Sequence, residues 1–301
     1  MKNKLSFTIV GAFTLLLSAC GLAVIPGSGN IVQETRNVQG YNQVVFSAPG
    51  ELTIEQNGQE GLVIEADDNL LGYIQARVRG NVLYIYTEPE VIQLYPARPI
   101  RYSLDVGALT RVSLNGSGVI RSDALIASRL DFELNGSGDI LIAAVKSEST
   151  SLGLNGSGEY RFDSLITNTL AVSINGSGDM TMEEVIAKTA DVEITGPGEL
   201  GMADILADTL HTTINGSGGS TLGGLVNQQT IFIQGSGSYD SKDLESQAAT
   251  AKIIGSGDSE IWVTEELNVT ITGSGDIFYR GKPAIVQTIT GSGNVMNVAR
   301  Q

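Results

Sequence analysis

Acidic residues follow a repeated Gly-x-Gly motif, where a row of carboxylates could bind a cation or exchange protons. The residue after the second glycine is Asp139, Glu159, Asp179 and Glu199 in four successive copies. Oxygen ligands suit Ca²⁺, and a cation would cancel the repulsion between stacked carboxylates. The same side chains could instead extend into water and accept hydrogen bonds from N–H groups of the turn. We favour this second interpretation and expect no obligatory cofactor, with Ca²⁺ as the one candidate ion.

The single histidine, His211, is the other side chain that could act as a general base. Asp191 precedes it by one 20-residue period, so a stacked fold would bring the two side chains together. Thr213 shares the exposed face, and nothing fixes it as a nucleophile. We therefore expect a surface histidine and assign no catalytic residue.

The Gly-x-Gly motif resembles a phosphate-binding loop, but it occurs ten times. Its copies are 18 to 20 residues apart, and none is followed by the Gly-Lys-Ser/Thr of a P-loop. A binding loop is needed once, whereas a regular period indicates a repeat architecture. The first glycines of the copies are Gly116, Gly136, Gly156, Gly176, Gly196, Gly216, Gly235, Gly255, Gly273 and Gly291.

The residues around each motif predict β-strands. Residues 130–134 read Leu-Asp-Phe-Glu-Leu, and this period of two is the pattern of a half-buried strand. An aliphatic residue also stands two positions before every motif. These ten residues are Leu114, Leu134, Leu154, Ile174, Ile194, Ile214, Ile233, Ile253, Ile271 and Ile289.

A second aliphatic column stands nine residues after the first glycine of the first seven motifs. Its members are Leu125, Val145, Leu165, Val185, Ile205, Leu225 and Leu244. Stacking identical positions would line one continuous apolar core, which a single unit of 20 residues could not bury alone. The sequence therefore predicts an all-β fold, a single parallel β-helix with coils of about 20 residues. Its expected hand is right-handed, the usual hand of parallel crossovers.

The glycines are expected to form a turn that every coil makes at the same place. Glycine reaches positive φ without a Cβ penalty, and Asn tolerates the left-handed region and bridges backbone groups. Asn precedes five of the motifs, as Asn115, Asn135, Asn155, Asn175 and Asn215. Pro197 is the middle residue of one motif and has no N–H, so we expect the N–H at that position to be dispensable.

The first twenty residues read as the signal sequence of a bacterial lipoprotein. Lys2 and Lys4 precede an apolar run, residues 5–17, that is short for a bilayer span. Leu-Ser-Ala-Cys at 17–20 resembles a lipobox, which makes residues 1–19 the signal peptide and Cys20 the lipidated residue. Gly21, rather than Asp, follows the cysteine, which favours the outer membrane. The sequence leaves open whether the protein lies on its periplasmic face or on the cell surface.

The rest of the chain divides into three segments. Residues 20–40 are interpreted as the lipidated cysteine and a tether. Residues 41–105 contain strand-like runs and a proline-rich stretch at 89–99 that reads as a loop, and they are interpreted as N-terminal coils and a cap. A solenoid needs a cap because its terminal strand edges would otherwise pair with other chains. Residues 106–301 form the GSG-repeat β-helix.

The charge and cysteine content of the chain restrict its partners. Its 33 acidic and 18 basic residues give a net charge of −15, which argues against nucleic acid as a partner and against a polybasic membrane patch. Cys20 is the only cysteine, so the chain has no intramolecular disulfide and no cysteine-based zinc site.

Three stretches together carry a family resemblance. They are the recurring "GSGD", the closing "ITGSGDIFYRGKPAIVQTITGSGNV" and the upstream "LVIEADDNLLGYIQARVRGNVLYIY". They resemble the putative auto-transporter adhesin, head GIN domain family of bacterial secreted proteins and lipoproteins, over residues 40–298. The resemblance implies adhesion and brings no catalytic residues. The chain departs from the family pattern at Pro197 and in its long run of 20-residue coils.

We therefore expect a non-enzymatic, lipid-anchored envelope protein that acts as an adhesin or as a binding or structural module. Its expected partners are the membrane, through the lipid, and a glycan or another component of the envelope or host surface. The alternative is a glycan-processing enzyme on a β-helix scaffold, which a cleft with converging carboxylates and a Lys or Arg would favour. Four aromatic residues near the C-terminal end could form a sugar-stacking face, although we favour core and cap positions for them. They are Tyr239, Trp262, Phe278 and Tyr279.

Overall fold

The computed structural model describes residues 23–89 and 92–298, and most of them lie in β-strands. A 3-10 turn, Leu71–Tyr73, is the one helical segment in these ranges. The first nine strands are β1 (Ala23–Pro26), β2 (Ile31–Arg36), β3 (Gln43–Ser47), β4 (Glu51–Gln56), β5 (Gly61–Asp67), β6 (Ile74–Arg79), β7 (Val82–Thr87), β8 (Ile92–Tyr95) and β9 (Arg101–Val106).

The repeat region contributes fourteen further strands, several of which run through two sides of a coil. They are β10 (Arg111–Gly116), β11 (Val119–Gly136), β12 (Asp139–Gly156), β13 (Glu159–Ile166), β14 (Thr169–Gly176), β15 (Asp179–Ile186), β16 (Thr189–Gly196), β17 (Glu199–Gly216), β18 (Gly219–Gly235), β19 (Ser238–Gly255), β20 (Asp258–Gly273), β21 (Ile277–Arg280), β22 (Ala284–Gly291) and β23 (Val295–Asn297).

Strands of successive coils pair in parallel, with equivalent residues side by side. Leu114 lies beside Leu134, Leu134 beside Leu154, and Leu154 beside Ile174. The result is a β-solenoid of about nine coils of roughly 20 residues. The predicted all-β parallel β-helix is therefore confirmed, while its right-handed sense stays a prediction.

The aliphatic column before the motifs forms the centre of the core. Nine of its ten members are fully buried, whereas Ile289 in the last coil is 37% exposed. β22, which contains Ile289, pairs with β20 on one side only in the part of the chain that the structure describes. The core therefore runs the whole length of the column and opens at its C-terminal end.

The second predicted column is interrupted at Leu225, which is 48% exposed. The other six members of that column are buried. A β-bulge shifts the pairing here, so that Gly224 lies beside Ile205 and Val226 beside Ala207. Val226 is buried in place of Leu225. The burial predicted for Leu225 is wrong because counting along the sequence does not register the bulge.

The N-terminal region combines coil-like and antiparallel strands. β3 and β4 pair in parallel with β10 and β11 of the repeat, and so continue the column. β2, β5 and β6 add antiparallel pairs beyond them. These strands carry charged residues, including Glu34, Arg36, Arg77 and Arg79. Charged side chains on an edge strand discourage pairing with another chain.

Part of the predicted tether belongs to this folded region. β1 pairs with β8, and β2 pairs with β5. β8 lies within 89–99, where the prolines predicted a loop, and the N–H of Gly27 donates to the carbonyl of Tyr95 at 2.8 Å. The predicted tether is therefore wrong for β1 and β2, and the predicted loop is wrong for β8. The partners of these strands are distant in sequence, so local composition does not reveal them.

The predicted signal peptide, residues 1–19, and the lipidation site Cys20 lie outside the described residues. Within the described ranges, no helix is long and apolar enough to cross a membrane.

Candidate functional site

Each coil turns sharply at the first glycine of its motif. All ten of these glycines have positive φ, from 107° at Gly196 to 137° at Gly136. A Cβ built on Gly156 would lie 2.2 Å from the carbonyl oxygen of Gly136 in the coil below. At this position both the backbone angle and the space available require glycine.

The second glycine of each motif is a structural residue that the sequence reasoning missed. Gly158 does not have positive φ, yet its Cβ would lie 2.2 Å from the carbonyl oxygen of Gly138 and 2.7 Å from a methyl group of Leu134. These glycines let the backbone of one coil rest on that of the next. Their presence in all ten copies was the available signal.

The middle residue of the motif extends the hydrogen-bond ladder through the turn. The N–H of Ser157 donates to the carbonyl of Gly136 at 2.9 Å, and seven motifs make this bond. Pro197 cannot donate, and in the next coil the N–H of Gly218 reaches the carbonyl of Gly196 at 2.8 Å. As expected, the turn at Gly196 forms without an N–H from Pro197 and has a φ of 107°, whereas the serine-containing turns add this bond.

Four of the predicted asparagines form a ladder along the turn. Asn135 donates to Asn115 at 3.0 Å, Asn155 to Asn135 at 2.9 Å, and Asn175 to Asn155 at 3.2 Å. Asn215 is separated from this ladder because Thr195 occupies the equivalent position beside it. Each amide therefore bridges adjacent coils on the surface of the column.

The four acidic residues of the sequence analysis form a file on the face that follows the turn. Asp139 lies beside Glu159, Glu159 beside Asp179, and Asp179 beside Glu199. Adjacent strands place them about 4.8 Å apart along the column. Among the described residues, no group of three or more His, Cys, Asp or Glu side chains is arranged to hold a metal ion. Solvated carboxylates stay the prediction for this file, with Ca²⁺ binding as the alternative.

Glu199, at the end of the acidic file, is the member whose carboxyl is most affected by its neighbours. Burial raises the pKa of Glu199, and the negative charge of Asp179 raises it further. The carboxylate lies over the bare backbone of Gly219, where a Cβ would be 2.6 Å from Oε2 of Glu199. The folded protein therefore binds a proton at Glu199 more tightly than the unfolded chain does. Stability contributed by this group falls as the pH rises from the unfolded pKa through the raised folded pKa.

We expect Glu199→Gln to raise the midpoint of thermal unfolding slightly at pH 7 in EDTA. The amide removes the charge that burial and Asp179 disfavour, whereas at pH 4 the difference between the two proteins should shrink. Glu265→Gln, on an exposed residue outside the file, is the matched control. A lower midpoint for Glu199→Gln would contradict this account of the file. If millimolar Ca²⁺ raises the wild-type midpoint but not that of the variant, the file instead binds the cation.

His211 lies on the face that precedes the turn, and its side chain is exposed as predicted. It stands beside Asp191 in the preceding coil and Thr230 in the following one. Thr213, two residues later, is half-buried on the same face. These residues form part of the wall of a surface depression.

The same face contains a shallow trough where the outward side chains become small in two successive coils. The floor of the trough is Ser151, Gly153, Ala171 and Ser173. One depression of about 560 Å³ extends from this floor toward His211, and a second of about 270 Å³ extends the other way. Both are lined by Ser151, Gly153 and Ser173, so they adjoin along the column.

Carboxylates stand at both ends of the trough but in different surroundings. At one end Arg111 hydrogen-bonds Glu133 and lowers the pKa of that carboxyl. Asp191 and Glu193 stand at the other end, and within the described residues they make no ion pair. Phe232 lines the wall beyond them and is half-buried. The trough thus offers hydrogen-bond acceptors and an aromatic edge beside a bare floor.

A third depression, of about 590 Å³, lies on the face that follows the turn. It contains four carboxylates and two arginines, namely Asp123, Asp139, Glu159, Asp163, Arg121 and Arg161. The guanidinium of Arg121 pairs with Glu51 at 2.8 Å, and that of Arg161 lies 3.5 Å from Asp163. The arginines are therefore engaged by carboxylates at the walls.

The four candidate aromatic residues do not form one stacking face. Tyr239 is buried in the core and donates to Oε1 of Gln229 at 2.9 Å. Trp262 lines a separate depression of about 400 Å³ together with Arg280 and Lys282. Phe278 and Tyr279 are half-buried neighbours in β21. Tyr239 points inward because it follows the buried parity of β19, which separates it from the half-buried rings of Trp262, Phe278 and Tyr279.

The fold is similar to those of three solved structures. Two are from Parabacteroides distasonis ATCC 8503: a "putative lipid binding protein" (22% identity, 91% of this chain, 99% of that chain, TM-score 0.52) and a "putative adhesin" (18%, 91%, 100%, 0.58). The third is a "putative adhesin" from Parabacteroides merdae ATCC 43184 (18%, 92%, 99%, 0.53). At these identities the similarity concerns the fold. No curated protein matches the chain.

The family-level match covers most of the repeat region. The model of the family described as "Putative auto-transporter adhesin, head GIN domain" matches residues 40–204 and 167–283. Those residues include the N-terminal coils and nine of the ten turn motifs described above. The chain therefore belongs to the putative auto-transporter adhesin, head GIN domain family.

Proposed function

We propose that the protein is a non-enzymatic, lipid-anchored adhesin of the bacterial outer membrane that binds an extended glycan along the trough. The observation that carries the proposal is that the two depressions adjoin over the small floor residues Ser151, Gly153 and Ser173. An open groove with a bare floor admits a linear polymer, whereas a compact ligand would favour an enclosed cavity. Membership of an adhesin family supports the same class of function.

The chemistry of the trough suits sugars. Hydroxyl groups donate hydrogen bonds to carboxylates, and Asp191 and Glu193 have no competing cation in the described part of the chain. The floor residues Gly153 and Ala171 lack bulk, so a sugar ring could lie close to the sheet. Phe232, whose ring has the ammonium of Lys252 5.4 Å from its centroid, adds apolar surface at the wall.

Attachment to the membrane is assigned to Cys20. A diacylated or triacylated cysteine anchors stably, whereas one acyl chain binds reversibly. The proposed anchor precedes β1, which pairs with β8 in the N-terminal region. The column would then extend from the membrane with its repeat region outward.

Filling the trough is expected to abolish glycan binding without unfolding the column. Ala171→Arg places a long side chain on the floor, and we expect at least a tenfold loss of affinity for any glycan that the wild type retains on a glycan array. Thr270→Arg, an exposed residue further along the same face, should change affinity by less than twofold. Isothermal titration with the best array ligand gives both values. Equal binding by Ala171→Arg and wild type, or no glycan bound by the wild type, would overturn the proposal.

A second candidate is a glycan-processing enzyme, which the depression around Asp139 and Glu159 favours. Paired carboxylates can serve as acid and base in glycoside hydrolysis, and the nearby arginines could hold an acidic sugar. Release of reducing ends from envelope polysaccharides by the wild type, lost in Asp139→Asn and Glu159→Gln but retained in Ala171→Arg, would support this candidate over the first.

A further inference from the structure

A stripe of exposed aliphatic side chains runs along the column between the face that follows the turn and the face that precedes the next turn. Four successive coils contribute one residue each, and all four are between 36% and 50% exposed. These four residues are Ile166, Ile186, Leu206 and Leu225, and we call them, together with the two residues that continue the row at each end, the aliphatic stripe. In order along the column its members are Ile126, Lys146, Ile166, Ile186, Leu206, Leu225, Glu245 and Trp262.

The stripe is unusual for a surface in contact with water. Single exposed apolar residues are ordinary, but a contiguous apolar row marks an interaction site. Each member lies beside the next in the strand register, so the row is continuous rather than scattered. The bulge that exposes Leu225 keeps the row aliphatic through that coil.

The charges of the stripe are placed symmetrically about its centre. Lys146 stands two coils before Ile186, and Glu245 stands two coils after Leu206. Neither charged side chain has an ion-pair partner among the described residues. The midpoint between Ile186 and Leu206 therefore separates two halves that match in apolar character and are opposite in charge.

We propose that the aliphatic stripe binds the stripe of a second copy of this chain, with the two columns antiparallel. A twofold axis through the midpoint places Ile186 over Leu206 of the second copy, and Ile166 over Leu225. It also places Lys146 over Glu245 of the second copy, twice by symmetry. A twofold interface uses the same patch on both subunits, as this self-complementary row requires. A parallel arrangement would instead place Lys146 over Lys146 and Glu245 over Glu245.

The charged residues along one edge of the stripe favour the antiparallel dimer, and those along the other edge oppose it. Lys188 and Asp208 flank Ile186 and Leu206 on one side, and the antiparallel axis brings each over the other. Glu184 and Asp204 flank the other side and face each other as like charges. Four attractive charge contacts thus stand against two repulsive ones, which selects the antiparallel over the parallel pairing.

The size of the contact predicts a weak dimer. Eight coils about 4.8 Å apart span about 34 Å, and three outward columns about 6.6 Å apart span about 13 Å, which gives a contact of roughly 450 Å² per copy. Such an area lies at the low end of specific interfaces, where transient complexes are found. We expect a dissociation constant on the order of 10 to 100 μM, corresponding to about 5 to 7 kcal/mol.

The antiparallel geometry gives this pairing a role, which rests on the proposed membrane anchor. Each proposed anchor precedes the N-terminal region of its column, so the two anchors would stand at opposite ends of the dimer. Two copies on one membrane cannot satisfy this arrangement, whereas copies on two opposed membranes can. The stripe would therefore join two surfaces through copies of the same protein, and many weak contacts would act together.

Charge exchange tests the interface itself. The chain lacking residues 1–22, which keeps every described residue, is studied by sedimentation equilibrium up to about 500 μM. Lys146→Glu or Glu245→Lys alone should weaken the dimer at least tenfold, and the double variant should return to within threefold of wild type. Lys252→Glu, the same charge change on another face, should have no effect. A monomeric wild type, or single variants that dimerise as wild type does, would overturn the proposal.

A vesicle assay tests the antiparallel direction without relying on lipidation in the cell. The chain from residue 20 onward is coupled through Cys20, its only cysteine, to maleimide lipid on neutral vesicles. We expect vesicles that carry the wild type to aggregate, and vesicles that carry either single charge variant not to aggregate. Vesicles that carry the double variant Lys146→Glu/Glu245→Lys should aggregate again. Dimers in solution without vesicle aggregation would overturn the opposed-membrane arrangement. The proposed lipid anchor is tested separately by Cys20→Ser.

Discussion

Gly156→Val is expected to lower the free energy of unfolding by more than about 4 kcal/mol, or to prevent folding. The residue has a φ of +134°, which a β-branched side chain cannot adopt without strain. Its Cβ would also lie 2.2 Å from the carbonyl oxygen of Gly136, which is backbone and cannot move aside. The change therefore forces two coils apart in the middle of the stack. Chemical denaturation followed by circular dichroism measures the loss.

Two further glycines separate the causes. Gly201→Val makes the same chemical change at a strand position where the nearest atom to a Cβ is 3.7 Å away, so we expect a change of less than about 1 kcal/mol. Gly158→Ala, at a position without positive φ, tests the space between coils alone and should still destabilise strongly. Equal unfolding midpoints for Gly156→Val and Gly201→Val would contradict the account of the turn.

Cys20→Ser is expected to move the protein almost completely from the membrane fraction to the soluble fraction. A lipid on Cys20 is the proposed attachment, and hydroxyl in place of thiol removes the site of acylation. Fractionation of cells after a high-salt wash, followed by immunoblotting, measures the distribution. Salt removes proteins held by charge, so retention after the wash reports a hydrophobic anchor.

Ser18→Ala is the matched control for the signal sequence. It keeps a small residue before the cleavage site and leaves Cys20 in place, so the protein should remain with the membrane. If Cys20→Ser also remains there after the wash, the lipoprotein interpretation fails. Mass spectrometry of the wild-type N-terminal peptide would show the acyl groups directly.

The repeating core could be predicted from the sequence because each coil repeats its neighbour. The spacing of the aliphatic residues two positions before each motif specifies both strands and stacking, and nine of the ten are fully buried. The Asn ladder was also visible as a column. Leu225 was misplaced because a bulge at Gly224 changes which residue faces inward, and a period counted in residues does not show it.

The parts without a repeat were harder to predict. β1 and β8 are short strands that pair across more than sixty residues, so neither is recognisable from its neighbours. Within the repeat, the role of the second glycines does not follow from φ, because Gly158 is required by the distance to the coil below.

The trough and the aliphatic stripe are formed by residues from neighbouring coils, not by residues that are adjacent in the sequence. Gly153 and Ala171 are unremarkable in sequence, and they form a floor only because successive coils bring them together. Ile186 and Leu206 appear as isolated exposed residues until the register joins them. The 20-residue columns contain this information, but it is recognisable as a surface only once outward and inward positions are known.

The central proposal is that this column acts as an adhesin, which requires that it be displayed on the outside of the cell. Val286 is 64% exposed at the C-terminal end of the column, and Val286→Cys supplies a thiol there in addition to Cys20, the proposed lipidation site. Intact cells carrying this variant are treated with a membrane-impermeant maleimide, with periplasmic and lysed-cell controls. We predict full labelling of intact cells. Labelling that appears only after the outer membrane is permeabilised would contradict the claim.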